Sequence, residues 1–335
     1  MAMIQPARDA RAEAEQRLGG RYQALVLEPS PPAVGAPWFA DDPIDPGPLA
    51  IGSERPVVSP IGTGDLTWAE LCADDPELAA WCADRNLAAW DRLPDALPTG
   101  FVATRMALHA VAEHVACPAR HAANTKIALR YTIGGCGTPV VWSDGDTRQV
   151  RVEHGRLVVQ DGAGCHVHEL TTLGAAADAA GVPLGAPTEV FEPSTAADPA
   201  APLEVDEAAA SLLGAWYGLA TSALEQVRAT GPRADPPSRV QLWPEHFDLG
   251  VDLGAEADRT RVTLGASPGD GPNPEPYLYV LPWAEVDRGG FWNADSFTGA
   301  ILPYRELVAA EDQRRAAVDF FHRALDAIDQ EASRG

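Results

Sequence analysis

The sequence predicts an α+β fold, mostly antiparallel sheet with helices packed on one face, built as two interlocked halves. Three observations lead there. Residues 125–133 (TKIALRYTI) and 148–161 (RQVRVEHGRLVVQD) alternate apolar and polar side chains with the period of two that marks half-buried strands. The runs SRVQLW, FDLGVDL, TRVTLGA and PYLYVLPW between 238 and 283 read as a second group of strands. Helical segments bracket both groups, so each half runs helix, strands, helix.

The elements follow in order. Residues 4–18 suit a short amphipathic helix. Residues 28–64 are too rich in proline and glycine for a regular element and read as an extended arm anchored by Trp38, Phe39 and Ile51. Thr67 with Glu70 forms a capping box, and a further helix over 75–91 carries Trp81 and Trp90. FVATRMALHAVAEHVA is a helix stopped at Cys117-Pro118. Gly134-Gly135-Cys136-Gly137 turns the strand after it into TPVVW, and His154-Gly155 closes a hairpin. An alanine-rich helix ends at Gly181, residues 186–205 link the halves, and a long helix from Asp206 ends at Gly231-Pro232. Residues 305–332 close the chain as an amphipathic helix. The divisions expected are an N-terminal arm with short helices (1–100), a first α+β half (101–185), the linker (186–205) and a second half (206–335).

Composition narrows the function. With 335 residues and 46% hydrophobic content the chain can bury a large core. The N-terminus lacks the apolar stretch of a signal peptide, and no run approaches the ~18–20 apolar residues of a membrane span, so a cytoplasmic protein is expected. A net charge of −23 argues against nucleic acid. The charge is uneven: residues 1–100 carry −9, 101–195 only −2, and 196–335 −12. The middle third, with six of the eight histidines, either docks on the acidic portions or faces an anionic ligand. Cys72, Cys82, Cys117, Cys136 and Cys165 form no C-x-x-C pair and suggest neither a disulfide framework nor a zinc knuckle. Lys126 is the one lysine, and so the one side-chain amine for Schiff-base chemistry, though a strand-edge lysine is the simpler reading.

The densest functional stretch is 242–283. If FDLGVDL continues the strand, His246 and Asp248 share a face opposite Glu245 and Phe247. Asp248 would then orient His246 as an acid/base group, or the pair would supply two metal ligands; a structural hydrogen bond is the plainer alternative. Trp243, Phe247 and Tyr277 would wall the site. The segment from Gly265 to Tyr277 must be irregular, and its Asp270 and Glu275 would line or gate it. Arg120 and Arg130 would hold an anionic group. His166 and His168 form an H-x-H pair suited to a metal if it met His246, although polar residues on an edge strand explain it as well. His109 and His114 lie five residues, about 140°, apart on a helix and cannot share an ion, whereas His109 and Glu113 suit a surface pair. No nucleophile motif is present.

Several stretches together resemble a family of uncharacterised, mostly actinobacterial proteins: LHAVAEHVACPAR, KIALRYTIGGCGTP, ELTTLGAAADAAG, WPEHFDL, GASPGDGPNPEPYLYV and FWNADSFTGA. The resemblance covers roughly 101–325 and implies one architecture across both halves, with no reaction or cofactor attached. The sequence therefore leads to a small-molecule binder or acid/base enzyme with its site near His246 and Asp248. Two alternatives stand beside it: an interaction protein that buries a partner on Trp283, Phe291 and Trp292, and an enzyme using a divalent metal.

Overall fold

The computed structural model describes residues 92–333, apart from positions 133, 140, 144, 145, 162, 163, 233, 235–237 and 239. The expectations for the arm and for the helices over 4–18 and 67–91 fall outside the described residues.

The first helix does not stop where the sequence suggested. Helix α1 (Phe101–Val111) passes through a π-helical turn (Ala112–Ala116) straight into α2 (Cys117–Asn124). Pro118 has no N–H to give to the carbonyl four residues back, which would break an isolated helix. Here that carbonyl, on His114, accepts instead from the Gly185 N–H at 3.1 Å. A distant segment repairs the helix that the proline interrupts.

A six-stranded antiparallel sheet follows, made of β1 (Arg130–Thr132), β2 (Gly135–Gly137), β3 (Val141–Ser143), β4 (Asp146–Glu153), β5 (Arg156–Asp161) and β6 (Gly164–Glu169). Its order is β1-β2-β4-β5-β6, with β3 also paired to β4. Gly135–Gly137, read from sequence as a turn, is itself a strand. The His154-Gly155 hairpin is as expected, with both residues at positive φ (47° and 77°), the backbone that a two-residue turn between twisted strands requires. Helix α3 (Leu173–Ala180) starts on the Thr172 side chain and ends at Gly181 with φ 60°.

Helix α4 (Glu207–Thr230), capped by Asp206, leads to a five-stranded antiparallel sheet. Its strands β7 (Gln241–Trp243), β8 (Asp248–Leu253), β9 (Val262–Ser267), β10 (Tyr277–Pro282) and β11 (Ala300–Pro303) lie in the order β11-β10-β9-β8-β7. The closing helix is divided into α5 (Tyr304–Val308) and α6 (Gln313–Ala332), the latter capped by Asp312.

The halves interlock at two places. Leu129, just before β1, and Leu242 of β7 exchange both backbone hydrogen bonds (2.7 and 2.9 Å), so the two sheets meet edge to edge. Helix α4 lies across that junction and packs on β1 and β2 of one sheet and β8 and β9 of the other. Its Trp216, Tyr217, Leu219, Ala220, Ala223, Leu224 and Val227 are completely buried. Gly214 of α4 sits directly on the backbone of Gly134, where a Cβ would collide. The core faces of the sheets, Val150, Val152, Leu157 and Val159 in one and Leu249, Val251, Leu264, Leu278 and Val280 in the other, turn toward the helices. The result is α+β, as the alternation predicted. Among the described residues no helix is long and apolar enough to cross a membrane.

Candidate functional site

The opposite face of the second sheet carries a set of polar and aromatic side chains. The pairings Trp243↔Asp248 and Gln241↔Gly250 put these four residues on one face, with Gly265, Ser267, Tyr277 and Tyr279. Tyr279 lies flat over Gly265, where any side chain would run into its ring. Gly250 lies between Trp243 and the Tyr279 hydroxyl, its Cβ direction 3.5 Å from the indole and 3.6 Å from the phenol oxygen. Two glycines thus form a floor on which Trp243 and Tyr279 rest.

Asp248 stands beside this floor, only 8% exposed. The Tyr279 hydroxyl donates to its Oδ2 at 2.6 Å, while Oδ1 is buried and receives no hydrogen bond. Burial raises its pKa to about 6; the Tyr279 hydrogen bond, the charge of His246 and the residue's own backbone N–H, close to the carboxyl but outside hydrogen-bond geometry, oppose that rise, and Glu245 adds to it. Glu245 likewise has a buried oxygen, Oε2, with no donor. Buried acceptors are nearly always satisfied in native proteins, so two of them in neighbouring carboxylates mark this place.

The turn before Asp248 corrects one expectation. Pro244–Phe247 is a four-residue hairpin turn between β7 and β8, so the strand begins only at Asp248. Face alternation does not apply inside a turn, and His246 is exposed there, acting on Asp248 through its charge. Phe247 is likewise no wall. It takes a positive φ of 54°, unusual for a bulky residue, and is 1% exposed. Its ring stacks on His109 (5.1 Å, 7° between planes) and meets Tyr217 edge-on at 5.7 Å. The Tyr217 hydroxyl donates to the Phe247 carbonyl at 2.5 Å, and His109 Nε2 donates to the Pro244 carbonyl at 2.8 Å. Helices α1 and α4 therefore grip the turn that presents Asp248.

The remaining predicted residues divide. Tyr277 is on the site face, and its hydroxyl donates to Asp270 Oδ2 at 2.7 Å; burial, then that hydrogen bond, pushes its pKa up. Asp270 also accepts from the Asn273 N–H at 2.7 Å, which shapes the loop. That loop covers 268–276, because Gly265 belongs to β9. Glu275 is exposed on it and acts electrostatically on Tyr304. Arg130, on β1, faces the same side as Gln241, next to the seam, while Arg120 is wholly buried in α2. His166 and His168 lie on β6, at the far edge of the other sheet. Their cross-strand partners Val159 and Leu157 put them on its core side, and six strand spacings, about 29 Å along the sheets, separate β6 from β8. They cannot join His246 and Asp248 on one metal. Among the described residues no group of three or more His, Cys, Asp or Glu side chains can hold a metal ion.

Residues not singled out for the site complete it. Tyr279 was readable from PYLYVLP, since it lies two residues from Tyr277 and so on the same face. Arg105 of α1, 9% exposed, donates to the Pro274 carbonyl at 3.3 Å; burial lowers its pKa against the pull of Asp270, Tyr217 and Tyr277.

A second polar cluster holds the segment after α3. Glu113, fully buried in the π turn and not a surface residue, accepts from the Ser194 and Thr195 N–H groups (2.7 and 2.9 Å) and from both hydroxyls. His114 accepts from the Ala186 N–H at Nδ1 and donates from Nε2 to the Thr195 carbonyl. Ser194 Oγ, Glu113 and His109 look like triad components, but hydroxyl and carboxylate both face Nε2 of His109, whereas a triad needs them on opposite ring nitrogens. The cysteines offer no nucleophile either. Burial raises the Cys117 thiol, with Glu245, Glu113 and Glu189 adding to it, and burial alone pushes Cys136 up to about 12.

The aromatics proposed for a partner do not form one patch. Trp292 is buried, Phe291 packs on Phe320 at 5.6 Å, and Trp283 alone of the three is exposed, beneath Arg261 at 4.4 Å. No family model, curated protein or solved structure matches the chain.

Proposed function

We propose that the protein binds a small molecule on the outer face of the second sheet and that Asp248 is its acid/base group. The observation that carries this reading is the divided state of the Asp248 carboxyl. Tyr279 fixes Oδ2, and Oδ1 lies buried with no hydrogen-bond donor, beside Gly265, where a Cβ would strike the Tyr279 ring that holds the carboxyl. A carboxyl with a pKa of about 6 exchanges its proton near neutral pH, the property wanted in a general acid or base. His246, exposed on the adjoining turn, acts on that carboxyl through its charge. Trp243 and Tyr277 supply the apolar borders.

The test is a thermal-shift screen of small metabolites of every charge type against the wild type, Asp248→Asn and Gly265→Ala. The alanine displaces Tyr279 and frees the second carboxylate oxygen. The expected result is a stabilising compound whose effect is lost in both variants. Stabilisation that persists unchanged in Asp248→Asn overturns the reading.

A further inference from the structure

We infer that the ligand of this site is an organic cation rich in N–H donors, an amidinium, guanidinium or primary ammonium, and not an anion. The inference rests on the site proposed above and names its ligand class. Both unsatisfied groups are acceptors: Oδ1 of Asp248 and Oε2 of Glu245 each lie buried without a donor. An anion would add acceptors where acceptors already lack partners, and would meet like charge. A cation rich in N–H groups satisfies Oδ1 of Asp248 through a charge-assisted hydrogen bond, and the nearby Glu245, which acts on Asp248 through its charge, adds to its attraction. The rings beside them are suited to the same guest, because Trp243 and Tyr279 flank Asp248 and offer electron-rich faces to a cation.

Two alternatives are weaker on the same facts. A bare metal ion would need a third ligand, and no group of three His, Cys, Asp or Glu side chains among the described residues can hold one. The anionic ligand expected from the less acidic middle third would draw on Arg120 and Arg130, yet Arg120 is wholly buried in α2 and only Arg130 shares the face. Arg105, the other cation close by, donates to the Pro274 carbonyl and is drawn toward Asp270. On a larger scale the chain carries −23, of which residues 196–335 hold −12, a field that concentrates cations at this half.

Three probes of nearly one shape separate the classes: benzamidine (cation), benzamide (neutral) and benzoate (anion). Each is titrated into the full chain while the Trp243 indole N–H is followed by NMR. Benzamidine should bind about tenfold or more tightly than benzamide, with benzoate silent. Asp248→Asn should abolish the preference, and Glu245→Gln, on the half-exposed turn, should weaken it about tenfold. Binding should also weaken about tenfold as the pH falls from about 7 to about 5, as Asp248 takes up its proton. His246, Glu245, Tyr217, Tyr277 and Tyr279 also act on that carboxyl, so the pH effect must vanish in Asp248→Asn to be assigned to it.

Equal or tighter binding of benzoate, lost in Asp248→Asn, overturns the cation class while leaving the site in place. Binding of any probe that ignores both substitutions overturns the site and the class together. No saturable benzamidine binding up to its solubility overturns the class alone, provided that the metabolite screen has found a compound dependent on Asp248.

Discussion

A carboxyl whose pKa burial has raised to about 6, as in Asp248, holds its proton more firmly in the folded chain than in the unfolded one. Between the ordinary carboxylate value and 6 the native state binds more protons, so stability falls as pH rises through that window. Above it the ionised side chain costs about 3 kcal/mol. Asp248→Asn removes the charge and keeps an oxygen for Tyr279. The variant should melt a few degrees above the wild type near pH 7.5, and the gain should disappear near pH 4, where Asp248 is neutral in both states. Calorimetry at the two pH values checks this. A gain in stability joined to lost binding is the pattern of a residue kept for function. His109, in the last turn of α1, slopes the other way: burial lowers its pKa, so stability is lost as pH falls below the usual imidazole range.

Among the elements, the π turn and the segment after α3 depend on one another. Pro118 frees a carbonyl that Gly185 takes, and Glu113 in the same turn takes four donors from Ser194 and Thr195. Glu113→Ala would strand two backbone N–H groups and should cost about 3 kcal/mol. Amide exchange should rise sharply at residues 185–196 and little in β8 to β10. Uniform acceleration across both regions would show global destabilisation and not a local release. Neither dependence can be read from sequence, since a helix that survives its proline does so through a residue nearly seventy positions away. Local signals fared better: the His154-Gly155 hairpin, the helix start at Asp206 and the helix end at Gly181 are each set by the residues in place. FDLGVDL was read as a strand, and it is one only from Asp248 on; extending its alternation back to Glu245 and His246 took a turn for strand. The alternation of its residues is the same whether Phe247 lies in a strand or at the positive φ that ends a turn, and only Tyr217 and His109, far off in sequence, decide between them. Strand β11 was missed because AILP is too short to show a period.

For the whole molecule, the decisive feature is that one helix covers two sheets whose edges meet at a single backbone pair. A chain ended after residue 185 keeps all six strands of the first sheet but loses α4, leaving the side chains of Val150, Val152 and Cys136 without their principal cover. Such a fragment should bind the dye ANS strongly and resist two-state melting, and a clean cooperative transition would contradict this account. The same arrangement imposes an order on biosynthesis. The first sheet leaves the ribosome about fifty residues ahead of the helix that covers it, a delay of about 3–10 s at ordinary elongation rates. During those seconds its apolar face is bare, so the newborn chain is most in need of a chaperone midway through translation, not at its end.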